Sequence, residues 1–280
     1  MRLVTSETQV KKMMPNAFAT VEGERDLLEK LEPYIDEAEE FIEKRLTGES
    51  IFTDIVSQVE SGPVRMLAEK IIVTHAFYKA VPSLDLVLTP NGFGIVSNTN
   101  VAPASKERVE RLIEAMEGER DNGIEQLLFR LPSIEGWLQT QQANYFTSTL
   151  FPNISVCHRL AIRQHRWSEY VQLHGQFVFI ESQLAEAYFS QEQMKVFRNK
   201  IITAELMAVP LMNEIVRQLQ SLELMLVTEK MHVHPQAFYD LVNVIREHPE
   251  TFPEWHASDT AKLYTPAVYI NKKENGGYWF

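Results

Sequence analysis

Apolar residues return at helical spacing from about Arg25 to Leu46. Leu27, Leu28, Leu31, Ile35, Ala38, Phe41, Ile42 and Leu46 fall on one face, and Glu29, Glu32, Asp36, Glu37, Glu39, Glu40 and Glu43 on the other. The pattern predicts an amphipathic helix whose acidic face is solvated, with Glu37 and Glu40 as candidate contacts for a partner. Pro33 predicts a kink or restart, and Gly48 a stop. A second helix runs from Pro63, favourable as a first helical residue, to about Ala80. It is apolar nearly all round, as helices in the middle of a domain are, and His75 within it reads as a satisfied core histidine.

Leu84–Leu88 and Phe93–Val96 flank Thr89-Pro90-Asn91-Gly92, a sequence suited to a type I turn with a bulge, and predict a β-hairpin near residues 84–96. After Pro103 a long stripe reaches Leu131. It lapses between Glu117 and Gly123, where Gly118, Asp121, Asn122 and Gly123 weaken a helix and a break is expected. Residues 139–156 lack helical periodicity and read as a junction between two halves. Beyond it come a helix from Gln176 to Phe189, one started by a capping box at Ser190-Gln191-Glu192-Gln193, a restart at Pro210, and a final helix opened by His234-Pro235. From Thr251 the stripe stops, and Asn275-Gly276 between Val268–Ile270 and Tyr278–Phe280 signals a second hairpin.

The expected fold is therefore mainly α and bundle-like, with a small hairpin near 84–96 and another in the tail. The expected divisions are a helical domain over 1–145, a second helical unit over 146–250 and an aromatic tail over 251–280. The halves echo one another faintly. A helix with Leu31 and Ala38-Glu39 follows Met14-Pro15-Asn16, and one with Leu173 and Ile180-Glu181 follows Phe151-Pro152-Asn153, at unequal intervals.

Composition narrows the chemistry. A net charge of −11 disfavours nucleic acid as a primary ligand and anionic membranes as a surface. No apolar run has the length of a bilayer span or a signal peptide, so a soluble intracellular protein is expected. The single Cys157 excludes an internal disulfide and reads as a core filler. No phosphate-cradling glycine loop, zinc-protease helix or nucleophile elbow is present, so no catalytic residues and no cofactor are assigned and an enzyme is not expected. One weak metal constellation, Glu229 with His232 and His234, supports the alternative of a metal-dependent helical enzyme. Arg159, Arg163 and Arg166, spaced for one helical face, form the one basic cluster, with Arg159 and Arg163 as candidate partner contacts. Tyr269, Tyr278, Trp279 and Phe280 are candidate anchors for a neighbouring subunit.

The run Leu84–Asn98, followed by Val101-Ala102-Pro103-Ala104-Ser105-Lys106, and the helix with Leu31-Glu32-Pro33-Tyr34-Ile35 and Ala38-Glu39 are similar to an uncharacterised family encoded by phages and prophages beside virion genes. The resemblance covers roughly residues 24–131. The order helix, helix, hairpin, helix more weakly resembles head–tail connector and adaptor proteins of tailed phages. The resemblance implies a structural or assembly protein that contacts itself or neighbouring virion proteins and resides in the cytoplasm or, after assembly, in the virion. A non-virion adaptor is the remaining alternative.

Overall fold

The structure is a computed structural model, and it describes residues 2–14, 27–59, 62–84, 86–89, 92–95, 105–228 and 233–265. The chain divides into two compact units, Met1–Gly175 and Gln176–Phe280. The boundary lies later than the expected junction, because residues 139–156 are core rather than linker. Ala143, Phe146, Leu150, Phe151, Ile154 and Val156 there are all buried.

In the first unit α1 (Glu7–Met13) and α2 (Leu27–Ile42) precede a π-helical turn, Glu43–Thr47. Then follow α3 (Glu49–Ser57), α4 (Pro63–Ala80), α5 (Lys106–Arg130), α6 (Gln141–Thr147), α7 (Val156–Arg159) and the start of α8 (Arg166–Leu184). α2 continues through Pro33 without a restart. That residue is exposed, so the carbonyl it leaves without an N–H faces water. α4 starts on Pro63 and packs against both α2 and α5, with Ile71, Ile72, Val73, Ala76 and Phe77 buried. A short N-terminal arm closes this layer. Leu3 and Val4 are buried and donate their N–H groups to the Glu39 carboxylate, while Arg2 pairs with Glu32 and Asp36. Burial raises the Glu39 pKa, and the two N–H bonds work against that rise.

α5 does not break where its apolar stripe lapses. Gly123 lies against α4, and a Cβ added there would sit 2.7 Å from Ile71 Cγ1. The glycine is thus a packing residue that lets two helices approach, not a weak point. Gly123→Ala should cost about 1–3 kcal/mol, the range for overpacking, despite the better helix propensity of alanine. Urea unfolding would show it, and a neutral or stabilising result would refute the close approach.

The second unit holds the end of α8, a π-helical turn Ala185–Phe189, α9 (Gln191–Ile202), α10 (Pro210–Val227), α11 (Gln236–Glu247), α12 (Pro253–His256) and α13 (Asp259–Leu263). Two expectations are corrected here. α8 begins at Arg166, ten residues before the expected Gln176. The segment from Thr251 to Thr265, which carries no helical stripe, holds α12 and α13, and Trp255 there is buried and donates its indole N–H to the Tyr188 carbonyl at 2.8 Å. The expected capping box is half formed. Ser190 accepts from the Gln193 N–H, but the Gln193 side chain is buried instead of reaching back.

The sequence echo has a structural counterpart. Leu31, Glu39 and Gly48 stand at one constant offset from Leu173, Glu181 and Ser190. In each copy a helix with a buried glutamate ends in a π turn closed by a positive-φ residue, Gly48 at 84° and Ser190 at 60°. The buried Glu181 carboxylate is held by Arg198 at 2.8 Å.

The expected fold class, mainly α with small β-hairpins, holds in its helical part and is corrected in its β part. Thirteen α-helices carry the described architecture, and no β layer takes part in it. The only extended pairing among the described residues is a four-residue ladder, Leu86–Thr89 antiparallel to Gly92–Ile95, which joins no other strand. Its register also differs from expectation. Leu84 closes the 3₁₀ turn Val81–Ser83, and Thr89 pairs with Gly92 rather than lying in the turn. A ribbon this short is marginal alone and supplies no layer of a core. The second expected hairpin, at 268–280, lies outside the described residues.

Candidate functional site

Where the α5 stripe lapses, the inward positions are filled by charge. Glu117, Arg120 and Asp121 are separated by one turn or less, so they reach the same buried side of the helix. Arg120 donates from Nε and Nη2 to Asp121 Oδ1 at 2.9 and 2.7 Å and from Nη2 to Glu117 Oε1 at 3.3 Å. Its guanidinium lies 4.9 Å from the centre of the Tyr78 ring, a cation–π distance. The other carboxylate oxygens are used as well. Asp121 Oδ2 accepts from the Trp167 N–H at 3.3 Å, and Glu117 Oε2 lies 2.8 Å from His165 Nδ1. The network ties α5 to the start of α8.

Beside it opens a cleft of about 600 Å³, walled by α2, α4, α5, α6 and the first turn of α8. Phe41, Tyr78, Tyr145 and Trp167 supply aromatic faces, with Phe41 edge-on to Trp167 at 5.2 Å between ring centres. Glu37 and Lys79 pair at 3.1 Å on the rim. Lys44 and Arg45 stand near the end of α2, Lys44 held by Glu40.

The sequence places His75 correctly in the core but misjudges its hydrogen bonding. The side chain lines the cleft and is 5% exposed, yet neither ring nitrogen has a hydrogen-bond partner among the described residues. Glu37 Oε1 is 4.0 Å from Nε2, too far for a hydrogen bond. Burial, helped by the Arg120 charge, lowers its pKa from 6.5 to about 4, so the ring is neutral and offers one N–H and one lone pair. His174 behaves differently. It too is lowered by burial, but its Nε2 lies 2.7 Å from the Tyr145 carbonyl, and its ring stacks on Tyr145 at 3.8 Å.

The sequence candidates fall in varied places. Glu37 lines the cleft, and Glu40 stays in solvent with Lys44. Arg159, Arg163 and Arg166 do not share a helical face, because α7 ends at Arg159 and the link to α8 turns through positive φ at Ala161 and His165. Arg159 lies over Phe151 and Arg163 is exposed. Arg166 is buried, donating to Glu125 at 2.8 Å and to Asn122 at 2.7 Å. The acidic face of α2 is met by Arg2, Lys44 and Lys79 rather than by this basic segment. Cys157 is buried, its thiol donates to the Arg166 carbonyl, and burial pushes its pKa up to about 11, which suppresses the thiolate. His234 accepts from the Gln236 N–H at 3.2 Å, a helix-opening contact, while Glu229 and His232 lie outside the described residues. Among the described residues no group of three or more His, Cys, Asp or Glu could hold a metal. Tyr269, Tyr278, Trp279 and Phe280 also lie outside them.

Arg120, Asp121, Trp167 and His75 were missed as site residues. The available signal was the lapse itself: an acid, a base and an acid at positions that must face inward if the helix continues.

The fold and the cleft define a helical protein with a mixed-charge, aromatic-walled recess in its first unit. Residues 24–147 of the chain match a family of unknown function (DUF6712). No curated protein and no solved structure matches the chain. Among the described residues no helix is long and apolar enough to cross a membrane.

Proposed function

We propose that the chain is a structural or assembly protein of a phage or prophage, of the connector or adaptor kind, acting through contacts with copies of itself or with neighbouring virion proteins. On this reading it is made in the bacterial cytoplasm and incorporated into the virion. The observation that supports it most is Phe129. This aromatic side chain is 82% exposed on α5, beside the buried Leu127 and Leu128 and inside the family-matched stretch. A large aromatic held outward on a fixed helix is the kind of anchor that interfaces bury.

Light scattering and pairwise binding against the products of neighbouring virion genes test the reading. Full-length protein is expected to self-associate or to bind one of them, and Phe129→Glu to weaken that association at least tenfold. A strict monomer that binds no virion protein overturns it.

A further inference from the structure

We infer that an apolar face of the second unit, carried by Phe179 of α8 and Leu263 of α13, is the docking site for the chain's own residues 266–280. The inference stands apart from the assembly reading and concerns a different surface.

The face follows from a repeat inside the chain. In the first unit the Trp137 indole N–H donates to the Leu46 carbonyl of one π turn, at 2.9 Å. In the second the Trp255 indole N–H donates to the Tyr188 carbonyl of the other, at 2.8 Å. The residues after each tryptophan repeat as well. Thr140 accepts from the Ala143 N–H and donates to the Trp137 carbonyl, and Ser258 does the same with Ala261 and Trp255. Each unit therefore packs a short helix, α6 or α13, on the π turn that ends a long one.

The register that aligns Leu46 with Tyr188 aligns Glu37 with Phe179, and the register that aligns Trp137 with Trp255 aligns Tyr145 with Leu263. Glu37 and Tyr145 are walls of one cleft, so their counterparts are placed on one face of the second unit. The chemistry is inverted there. Glu37 pairs with Lys79 and Tyr145 stacks on His174. Phe179 is instead 67% exposed and Leu263 74%, with Val178 exposed beside Phe179. Large apolar side chains held outward together on packed helices mark a contact surface.

The covering segment is the one that starts there. The described chain leaves α13 at Thr265, two residues past Leu263. Residues 266–280 then carry Val268, Tyr269, Ile270, Tyr278, Trp279 and Phe280. The Tyr264 hydroxyl donates to the Ala187 carbonyl at 2.6 Å, which fixes the point of departure against the end of α8. Phe179 precedes Ala187 by about two helical turns, or ~12 Å. An extended chain crosses that span in about four residues, and the whole segment reaches several times as far. A segment tethered this closely meets its site at an effective concentration in the millimolar range, which favours the same chain over a second copy.

The test is fluorine NMR of the full chain labelled with fluorotryptophan. The Trp279 line is assigned through Trp279→Phe, and its solvent contact is read from the shift between H2O and D2O. In the unaltered protein that shift is expected to be at most half that of free fluorotryptophan, at every concentration down to micromolar. Phe179→Glu combined with Leu263→Glu should raise it at least twofold. The line of the buried Trp255 keeps its own low value in that variant and reports that the second unit stays folded. A mixture separates docking within one chain from docking between two. Labelled chain with the two glutamates is combined with unlabelled chain carrying Tyr278→Ser, Trp279→Ser and Phe280→Ser, whose face is intact, and no protection should return. Full solvent contact of Trp279 in the unaltered protein, an unchanged shift in the glutamate variant, or protection regained in the mixture each overturns the proposal.

Discussion

Arg120→Met should lower the stability of the protein by about 3–5 kcal/mol, the usual cost of removing one member of a buried ion cluster. Methionine fills much of the volume, so the loss is electrostatic rather than a cavity. Asp121 is 1% exposed and Glu117 4% exposed, and both lose the guanidinium that neutralises them. Against a typical total of about 5–15 kcal/mol the change is large, and urea unfolding would register it directly. Adding Asp121→Asn and Glu117→Gln should recover part of the loss, because the stranded charges are then gone. A loss below about 1 kcal/mol would mean that the two carboxylates are hydrated and that the cluster is not a structural unit.

The same variant carries a second readout. Burial is the larger cause of the lowered His75 pKa and the Arg120 charge the next, so removing that charge should raise the pKa from about 4. In the unaltered protein the unfolded chain binds a proton at His75 below about pH 6.5, whereas the folded chain resists it until about pH 4. The unfolded state binds more protons in that interval, so this contribution to stability is full above pH 6.5 and is lost as the pH falls toward 4. In Arg120→Met the interval should narrow from its acid end. NMR titration of the His75 ring would show it, and an unmoved pKa would place Arg120 outside the field that acts on His75.

What the sequence revealed and what it hid follow one physical rule. α4 was legible from end to end because Pro63 is a favourable first residue and its apolar side chains surround the axis. The acidic face of α2 was legible only in part: most of its carboxylates are exposed, but Glu39 is buried beneath the N-terminal arm, where it accepts from Leu3 and Val4, a partner remote in sequence. The interior of α5 was not, because Glu117, Arg120 and Asp121 face inward only if their charges neutralise one another, and a hydropathy pattern scores each alone as polar. Gly123 misled for a similar reason: its low helix propensity is a local quantity, while its closeness to Ile71 is set by another helix. The basic cluster failed because a single positive φ at His165 separates Arg166 from Arg163, and only packing makes a histidine adopt it. His75 was placed correctly in the core, but whether a buried nitrogen finds a partner depends on residues remote in sequence. Cleft chemistry is a property of five helices at once, and no single window of the chain contains it.

Trp137→Ala should cost about 3–5 kcal/mol, the range for removing a large buried aromatic. The side chain is fully buried, stacks on Phe146 at 6.4 Å between ring centres, and donates its indole N–H to the Leu46 carbonyl at 2.9 Å. Leu46 lies in the π turn that ends α2, where the last carbonyls of the helix have no continuing turn to bond them. Trp137 therefore does two jobs, filling the core beneath α6 and capping the turn that carries Lys44 and Arg45 to the cleft. Trp137→Phe separates them. It keeps much of the apolar volume but leaves the carbonyl without its donor, so a smaller loss of about 1–3 kcal/mol is expected. Hydrogen exchange should then quicken at Gly48, whose N–H closes the turn on the Glu43 carbonyl at 2.7 Å, while α9 in the second unit keeps its protection. Unchanged exchange at Gly48 in Trp137→Phe would show that the indole only fills space and that the end of α2 holds its shape without it.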